Sequence, residues 1–305
     1  MKNDIACKLG LCLLNCCCTM LVWAQGISSQ TNAIRQLVER ADAQVGVAVI
    51  VDGKDTLSFN NEVHYPLMSV MKFHQALAVC HFLQLNDQNL DMKVHVPQQS
   101  LKSDTYSPLK KRYPTGDLTL TVKDLLDYSL KMSDNNACDI LFGLIGGPEA
   151  VDRYIRSLGL NQFAISVTED DMHRRLEDCY RNWTTPLDAA ILLDKLINND
   201  ITDIDDQGYI RQAMLDCETG KDRLWKPLEK TGARLGHKTG TGDRNHEGKL
   251  IGVNDIGFVF LPDGRHYTIA VMVKDAGMSL QSASKLIADI SEVVYLYVSS
   301  QSVEK

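Results

Sequence analysis

The sequence predicts a mixed α/β (α+β) fold, with an antiparallel five-stranded sheet flanked by N- and C-terminal helices and an all-helical lobe inserted between its strands. Three observations point there: β-branched runs bounded by tight turns lie near both ends of the chain, helical periodicity fills the middle, and an amphipathic helix brackets the strands on each side. From Ser28, Ile34, Leu37, Val38 and Ala41 share one helical face. Val47 to Val51 is a mostly β-branched run, Asp52-Gly53 offers a tight turn, and Thr56 to Phe59 alternates, which predicts a hairpin. Phe73, Ala76, Leu77, Cys80 and Leu83 recur as a buried helix over 73–85. Between about 121 and 216 the helical period continues through Val122, Leu125, Leu126 and Leu130, then Ile140, Leu141 and Leu144, then Val151, Tyr154 and Leu158, then Ala189, Leu192, Leu193 and Leu196. Residues 166–183 are charged and aperiodic, which predicts a long loop, and long loops in compact domains are usually functional or disordered. Strands return after Gly236, with Ile256 to Phe260 and Tyr267 to Val273 joined by the turn Pro262-Asp263-Gly264. A helix over Ala283 to Val298 ends the pattern. The α/β lobe therefore takes about 26–65 and 220–300, the helical lobe about 66–219, and the cleft between them is the expected small-molecule site.

The 305 residues are 44% hydrophobic and 23% charged, which excludes a disordered chain, a collagen-like repeat and a polytopic membrane protein. A net charge of −7 without a basic run excludes nucleic acid as a partner. Of nine cysteines, Cys7, Cys12, Cys16, Cys17 and Cys18 crowd the start of the chain. There, Lys2 and Lys8 flank a short polar start, Leu9 to Trp23 is almost wholly apolar, and Val22 and Ala24 supply the small residues read by signal peptidase. Residues 1–24 are expected to be a secretory signal cut after Ala24; an uncleaved anchor, or lipid attachment at one of the clustered cysteines, is the alternative. The expected product, 25–305, is one soluble, exported, periplasmic catalytic domain, a monomer without a stable membrane partner. Cys80, Cys138, Cys179 and Cys217 could pair or stay as free buried thiols. Their spacing matches no metal site.

Three short motifs could carry chemistry. In Ser69-Val70-Met71-Lys72, three residues make about one helical turn, so hydroxyl and ammonium share a face at a helix start whose free N–H groups favour an oxyanion. The plain alternative is a helix cap beside a solvated lysine, and such a pair arises by chance about once in a chain of this size. Ser133-Asp134-Asn135 joins two helices, an ordinary place for caps. Lys238-Thr239-Gly240-Thr241-Gly242 starts a strand region; its lysine and hydroxyls suit a carboxylate, and its glycines allow close approach to the backbone. Together, in this order and with an acidic loop between the second and third, the motifs exceed chance.

In these motifs the sequence resembles the class A serine β-lactamases of the penicillin-recognising enzymes, whose signatures are Ser-x-x-Lys, Ser-Asp-Asn and Lys-Thr-Gly. The resemblance covers nearly all of 25–305 and is closest to the cephalosporinase and extended-spectrum branch of the PER and CfxA types, on Ser69 to Leu77, Glu169 to His173, Arg181 to Thr185, Lys238 to Gly242 and Leu261 to Arg265. It implies a β-lactam substrate and no cofactor. It makes Ser69 the nucleophile, Lys72 its proton partner, Ser133 the carrier of a proton to the leaving nitrogen, and Glu169 the base that activates the deacylating water. It further implies that Asn135 meets the amide of the substrate's side chain, and that the N–H groups of Ser69 and Thr241 form the oxyanion hole. Lys238, Thr239, Gly240, Thr241 and Arg223 would line the carboxylate subsite, with Tyr106 at the cleft mouth. His173 stands where most class A enzymes carry the asparagine that helps hold the water. Val167 and Asn182 replace the usual ion pair at the loop neck, so the loop must be tied differently. Met68 and Gly242 leave no cysteine pair of the carbapenemase kind. Thr241 points to cephalosporins. The competing reading within the superfamily is a D,D-peptidase or penicillin-binding protein that acylates without fast deacylation; Glu169, 36 residues after Ser133, argues against it.

Overall fold

The computed structural model describes residues 31–198, 201 and 203–301. The expected signal over 1–24 and the helix start at Ser28 lie outside them.

Helix α1 covers residues 31–39. It leads into β1 (Gln44–Val51) and β2 (Asp55–Phe59), paired through Val47↔Phe59 and Val51↔Asp55. Asp52 and Gly53 both have positive φ, the geometry that lets a two-residue turn follow the strand twist. After β3 (Tyr65–Pro66) and a 3-10 turn over Met68–Val70 come α2 (Met71–Leu85), β4 (Lys93–Val96), α3 (Pro108–Arg112), β5 (Leu118–Thr121), α4 (Val122–Lys131), α5 (Asn135–Ile145) and α6 (Pro148–Ser157). Next follow β6 (Phe163–Ala164), α7 (Glu169–Arg174), β7 (Trp183–Thr184), α8 (Pro186–Ile197) and α9 (Ile204–Leu215). The chain then returns to the sheet as β8 (Arg234–Thr241), β9 (Leu250–Phe260) and β10 (His266–Ala276), and α10 (Leu280–Ser300) follows.

The five-stranded sheet has the order β2-β1-β10-β9-β8 and is antiparallel throughout. β1 alternates between two cores. Val45, Val47, Val49 and Val51 meet Ile34 of α1 and Ile287, Ile290 and Val294 of α10, whereas Ala48 and Ile50 face the opposite side with Phe258, Met272 and the helical residues Phe73, Leu192 and Leu193. β9 and β10 start or end beyond the expected Ile256–Phe260 and Tyr267–Val273. Leu250 to Asp255 are all buried, so the alternation that marks a one-sided strand is not visible there.

The stretch 166–183 is not all loop. It holds α7 and a 3-10 turn over Leu176–Tyr180. Thr168 and Asp171 form a reciprocal capping box at the start of α7, which stabilises a helix too short to show a period. Among the described residues no helix is long and apolar enough to cross a membrane.

Candidate active site

The turn that carries Ser69 is held before the helix begins. Leu67 donates its N–H to the carbonyl of Asn182 at 2.8 Å, and Met68 has φ +48°, a left-handed conformation uncommon for a residue with a Cβ. The 3-10 turn then runs straight into α2, which places Ser69 at the helix start and Lys72 one turn later, fully buried. Lys72 Nζ donates to Ser69 Oγ at 3.0 Å, the Ser133 carbonyl at 2.8 Å and Asn135 Oδ1 at 2.7 Å, and lies 2.9 Å from Glu169 Oε1. Its three donors therefore face four acceptors. Ser69 Oγ in turn donates to Glu169 Oε1 at 3.2 Å.

Ser133-Asp134-Asn135 works both as a cap and as part of the site. Asp134 caps α5 through the Ala137 N–H at 2.8 Å and also accepts from Leu109 N–H at 2.6 Å and Ser107 Oγ at 2.8 Å. This anchorage holds Ser133 at φ +59° and turns its neighbours toward the cleft. Asn135 gives its amide to Thr105 Oγ1 at 2.8 Å and its N–H to the Tyr106 carbonyl at 3.1 Å. Tyr106 is exposed, with Lys111 Nζ 5.9 Å from its ring centroid.

Glu169 is carried by α7, and two side chains fix that helix. Asp139 accepts the N–H groups of Glu169 and Asp170, each at 2.9 Å; burial and then the charge of Glu169 lift its own pKa to about 7. Asn182, fully buried, accepts from Ser166 N–H at 2.8 Å and Val167 N–H at 3.1 Å and donates to the Val167 carbonyl at 2.9 Å. The loop neck is thus tied by a neutral amide, and the backbone of that residue holds the turn that carries Ser69. Asp170 pairs with Lys102 and Arg174. His173 lies outside the Ser69 cluster; its ring faces Asp104 at 3.5 Å, with 43% of the side chain exposed.

The opposite wall is β8, the free edge of the sheet. The Lys-Thr-Gly motif closes this strand rather than starting it. Lys238 is fully buried, and its Nζ donates to Ser133 Oγ and to the Thr239 carbonyl, both at 2.9 Å. Burial, then the charge of Lys72, pulls its pKa down to about 7. Gly240 is required by close approach, because a Cβ there would lie 2.6 Å from the Leu67 carbonyl oxygen. Gly242 donates its N–H across to Gly252 at 2.8 Å, so by antiparallel alternation the Thr241 N–H faces the open edge. Arg223 reaches Thr241 Oγ1 at 2.6 Å and braces the carbonyls of Gly240 at 3.1 Å and Asn254 at 2.8 Å. Asn254 donates in turn to the Pro66 carbonyl at 2.7 Å.

Eleven of the twelve expected site residues thus belong to these two walls, at least by the contacts that position them, and His173 stands apart. Asp139 and Asn254 were not expected. The only sequence signal for Asn254 is a polar Asn254-Asp255 pair inside an apolar strand. The four described cysteines are free thiols. Among the described residues no group of three or more His, Cys, Asp or Glu side chains is arranged to hold a metal ion.

The sequence matches the profile of the Beta-lactamase enzyme family over residues 29–298. The chain belongs to that family. Within it, a beta-lactamase of Bacteroides uniformis is 40% identical over 92% of this chain and 94% of its own length. The extended-spectrum beta-lactamase PER-1 of Pseudomonas aeruginosa is 35% identical over 88% of this chain and 89% of its own. A solved class A beta-lactamase from Bacteroides cellulosilyticus superposes with a TM-score of 0.85 at 38% identity, over 91% of this chain and 98% of that one. The protein is a class A serine β-lactamase, and its activity is β-lactam hydrolysis.

Proposed function

We propose that this β-lactamase works through an acyl-enzyme on Ser69, with a preference for cephalosporins. The observation that carries the reading is the triangle of Ser69 Oγ, Lys72 Nζ and Glu169 Oε1, with sides of 3.0, 2.9 and 3.2 Å. In acylation Ser69 Oγ gives its proton to Glu169 and attacks the β-lactam carbonyl carbon. Lys72, whose donors meet only acceptors, holds that oxygen in place. The N–H groups of Ser69 and Thr241 stabilise the oxyanion. When the C–N bond breaks, Ser133 protonates the ring nitrogen, with Lys238 aligning its hydroxyl; Lys72 then returns a proton to Ser133 and recovers one from Glu169, which leaves that carboxylate ionised for the next step. In deacylation Glu169 takes a proton from water, the resulting hydroxide attacks the ester, and Ser69 leaves with a proton restored.

Lys238, Thr239 and Thr241, with Arg223 behind, form the carboxylate subsite, and Gly240 lets that strand approach the nucleophile. Asn135 meets the substrate's side-chain amide, Tyr106 borders the mouth, and His173 acts only at the rim of the water site. The reading also takes 25–305 as one two-lobed catalytic unit, a soluble monomer exported to the periplasm after cleavage at Ala24.

Hydrolysis of a chromogenic cephalosporin by wild type, Ser69→Ala and Glu169→Ala tests the mechanism. Wild type turns over, Ser69→Ala loses at least about 10³-fold, and Glu169→Ala accumulates a covalent adduct on Ser69 detectable by mass spectrometry. Unchanged turnover in Glu169→Ala overturns the assignment of the base. Higher kcat/KM on benzylpenicillin than on early cephalosporins overturns the substrate preference.

A further inference from the structure

The turn 217–220 presses on the Lys-Thr-Gly strand from behind and grips one residue on two sides. Thr219 Oγ1 lies 2.6 Å from Thr239 Oγ1. A Cβ on Gly220, which has φ +65°, would fall 2.4 Å from Thr239 Cγ2, so only glycine lets the turn come this close to the methyl group. Hydroxyl and methyl of Thr239 are both in contact with the same turn, which leaves the side chain one rotamer.

The grip is itself anchored. Glu218 donates its N–H to the Lys131 carbonyl at 2.9 Å, at the end of α4, and Arg223 donates its N–H to the Gly220 carbonyl at 2.9 Å. Cys217 Sγ lies 3.4 Å from Thr219 Oγ1 and 3.8 Å from the Thr219 carbonyl, and feels the charge of His237, which pairs with buried Asp255 at 2.9 Å. Burial pushes the Cys217 thiol up, but His237 and Lys238 outweigh it and bring it to about 7.

A threonine hydroxyl has one proton and two lone pairs. When Thr219 is the donor of the pair, Thr239 Oγ1 accepts at one lone pair and its own proton is left for an anion in the cleft. When Thr219 is absent, Thr239 is free to rotate and to turn that proton toward backbone or water. We propose that Thr219 is a positioning residue of the enzyme, which aims the Thr239 hydroxyl at the carboxylate of the β-lactam. This rests on the reading of Thr239 as a carboxylate ligand.

The test compares wild type, Thr219→Val, Thr219→Ser and Thr239→Val on an early cephalosporin and on the same compound with its carboxylate esterified. Loss of one hydrogen bond predicts that Thr219→Val raises KM for the free acid about three- to tenfold, with kcat within about twofold. Thr219→Ser restores KM to near the wild-type value, and the ester does not distinguish Thr219→Val from wild type. The proposal is overturned if Thr219→Val leaves KM for the acid unchanged, or if acid and ester suffer equally, as they would from a general structural defect. If Thr239→Val raises KM for the acid and Thr219→Val does not, only this proposal fails; if neither does, the assignment of Thr239 fails with it.

Discussion

On the helical wall of the cleft, Ser69, Lys72, Ser133, Asn135 and Glu169 touch one another, whereas on the strand wall Thr239 and Thr241 are held by different neighbours and Lys238 alone reaches across to Ser133. The first arrangement is coupled. Removing any member leaves another polar group without its partner, so losses there should not add. Apart from Lys238, which joins the coupled cluster through Ser133, the second arrangement is separable: Arg223 braces Thr241 and Thr219 meets Thr239, so single changes there should act in steps. On the proposed mechanism, one wall makes and breaks bonds and the other holds the substrate still.

The comparison breaks first at the seam between the walls. Gly240→Ala removes no functional side chain, but its Cβ meets the Leu67 carbonyl oxygen next to the turn that carries Ser69. Displacing reacting groups by about 1 Å costs on the order of 100-fold, and kcat/KM on a chromogenic cephalosporin should fall by that much. A loss below about threefold would show that the walls slide independently.

A smaller effect is expected behind the helical wall. Asn182→Ala leaves the Ser166 and Val167 N–H groups without their acceptor, which should lower unfolding free energy by about 1–3 kcal/mol in denaturant titration. An unchanged midpoint would mean that the loop neck is carried by the pairing of β6 with β7 instead.

A third test uses pH. The Asp139 carboxyl has its folded-state pKa raised from 3.8 to about 7, so the folded state holds a proton that the unfolded state gives up earlier. Its contribution is fully present below about pH 4 and is lost as pH rises toward 7. Asp139→Asn removes that titration, so the wild-type melting temperature should fall relative to the variant across this window, by roughly 2–4 °C for each kcal/mol. Parallel profiles would place the raised carboxyl elsewhere.

The three motifs were legible because each is contiguous and its residues face one place. The hairpin and the terminal helices were legible because one face of each is apolar. What escaped was the support. Asp139 reaches α7 across 30 residues, and Asn254 reaches Pro66 across 188. No local pattern marks such pairs. Helix α7 escaped for a different reason: six residues cannot show a 3.6 period, although Thr168 and Asp171 spelled its cap. The ends of β9 and β10 were underestimated because strands covered on both faces lose their alternation.

The strand order also governs when the molecule can form. β1 lies between β2 and β10, and Asp52 accepts from the His266 N–H, 214 residues away in sequence. During synthesis the β1–β2 hairpin has no sheet to join until β10 emerges, and an isolated two-stranded hairpin is marginal in water. Helical segments with local contacts have a kinetic head start, while closure of the sheet waits for nearly the whole chain. The strand wall of the cleft should therefore assemble last, which makes substrate capture one of the final properties a newly made molecule acquires.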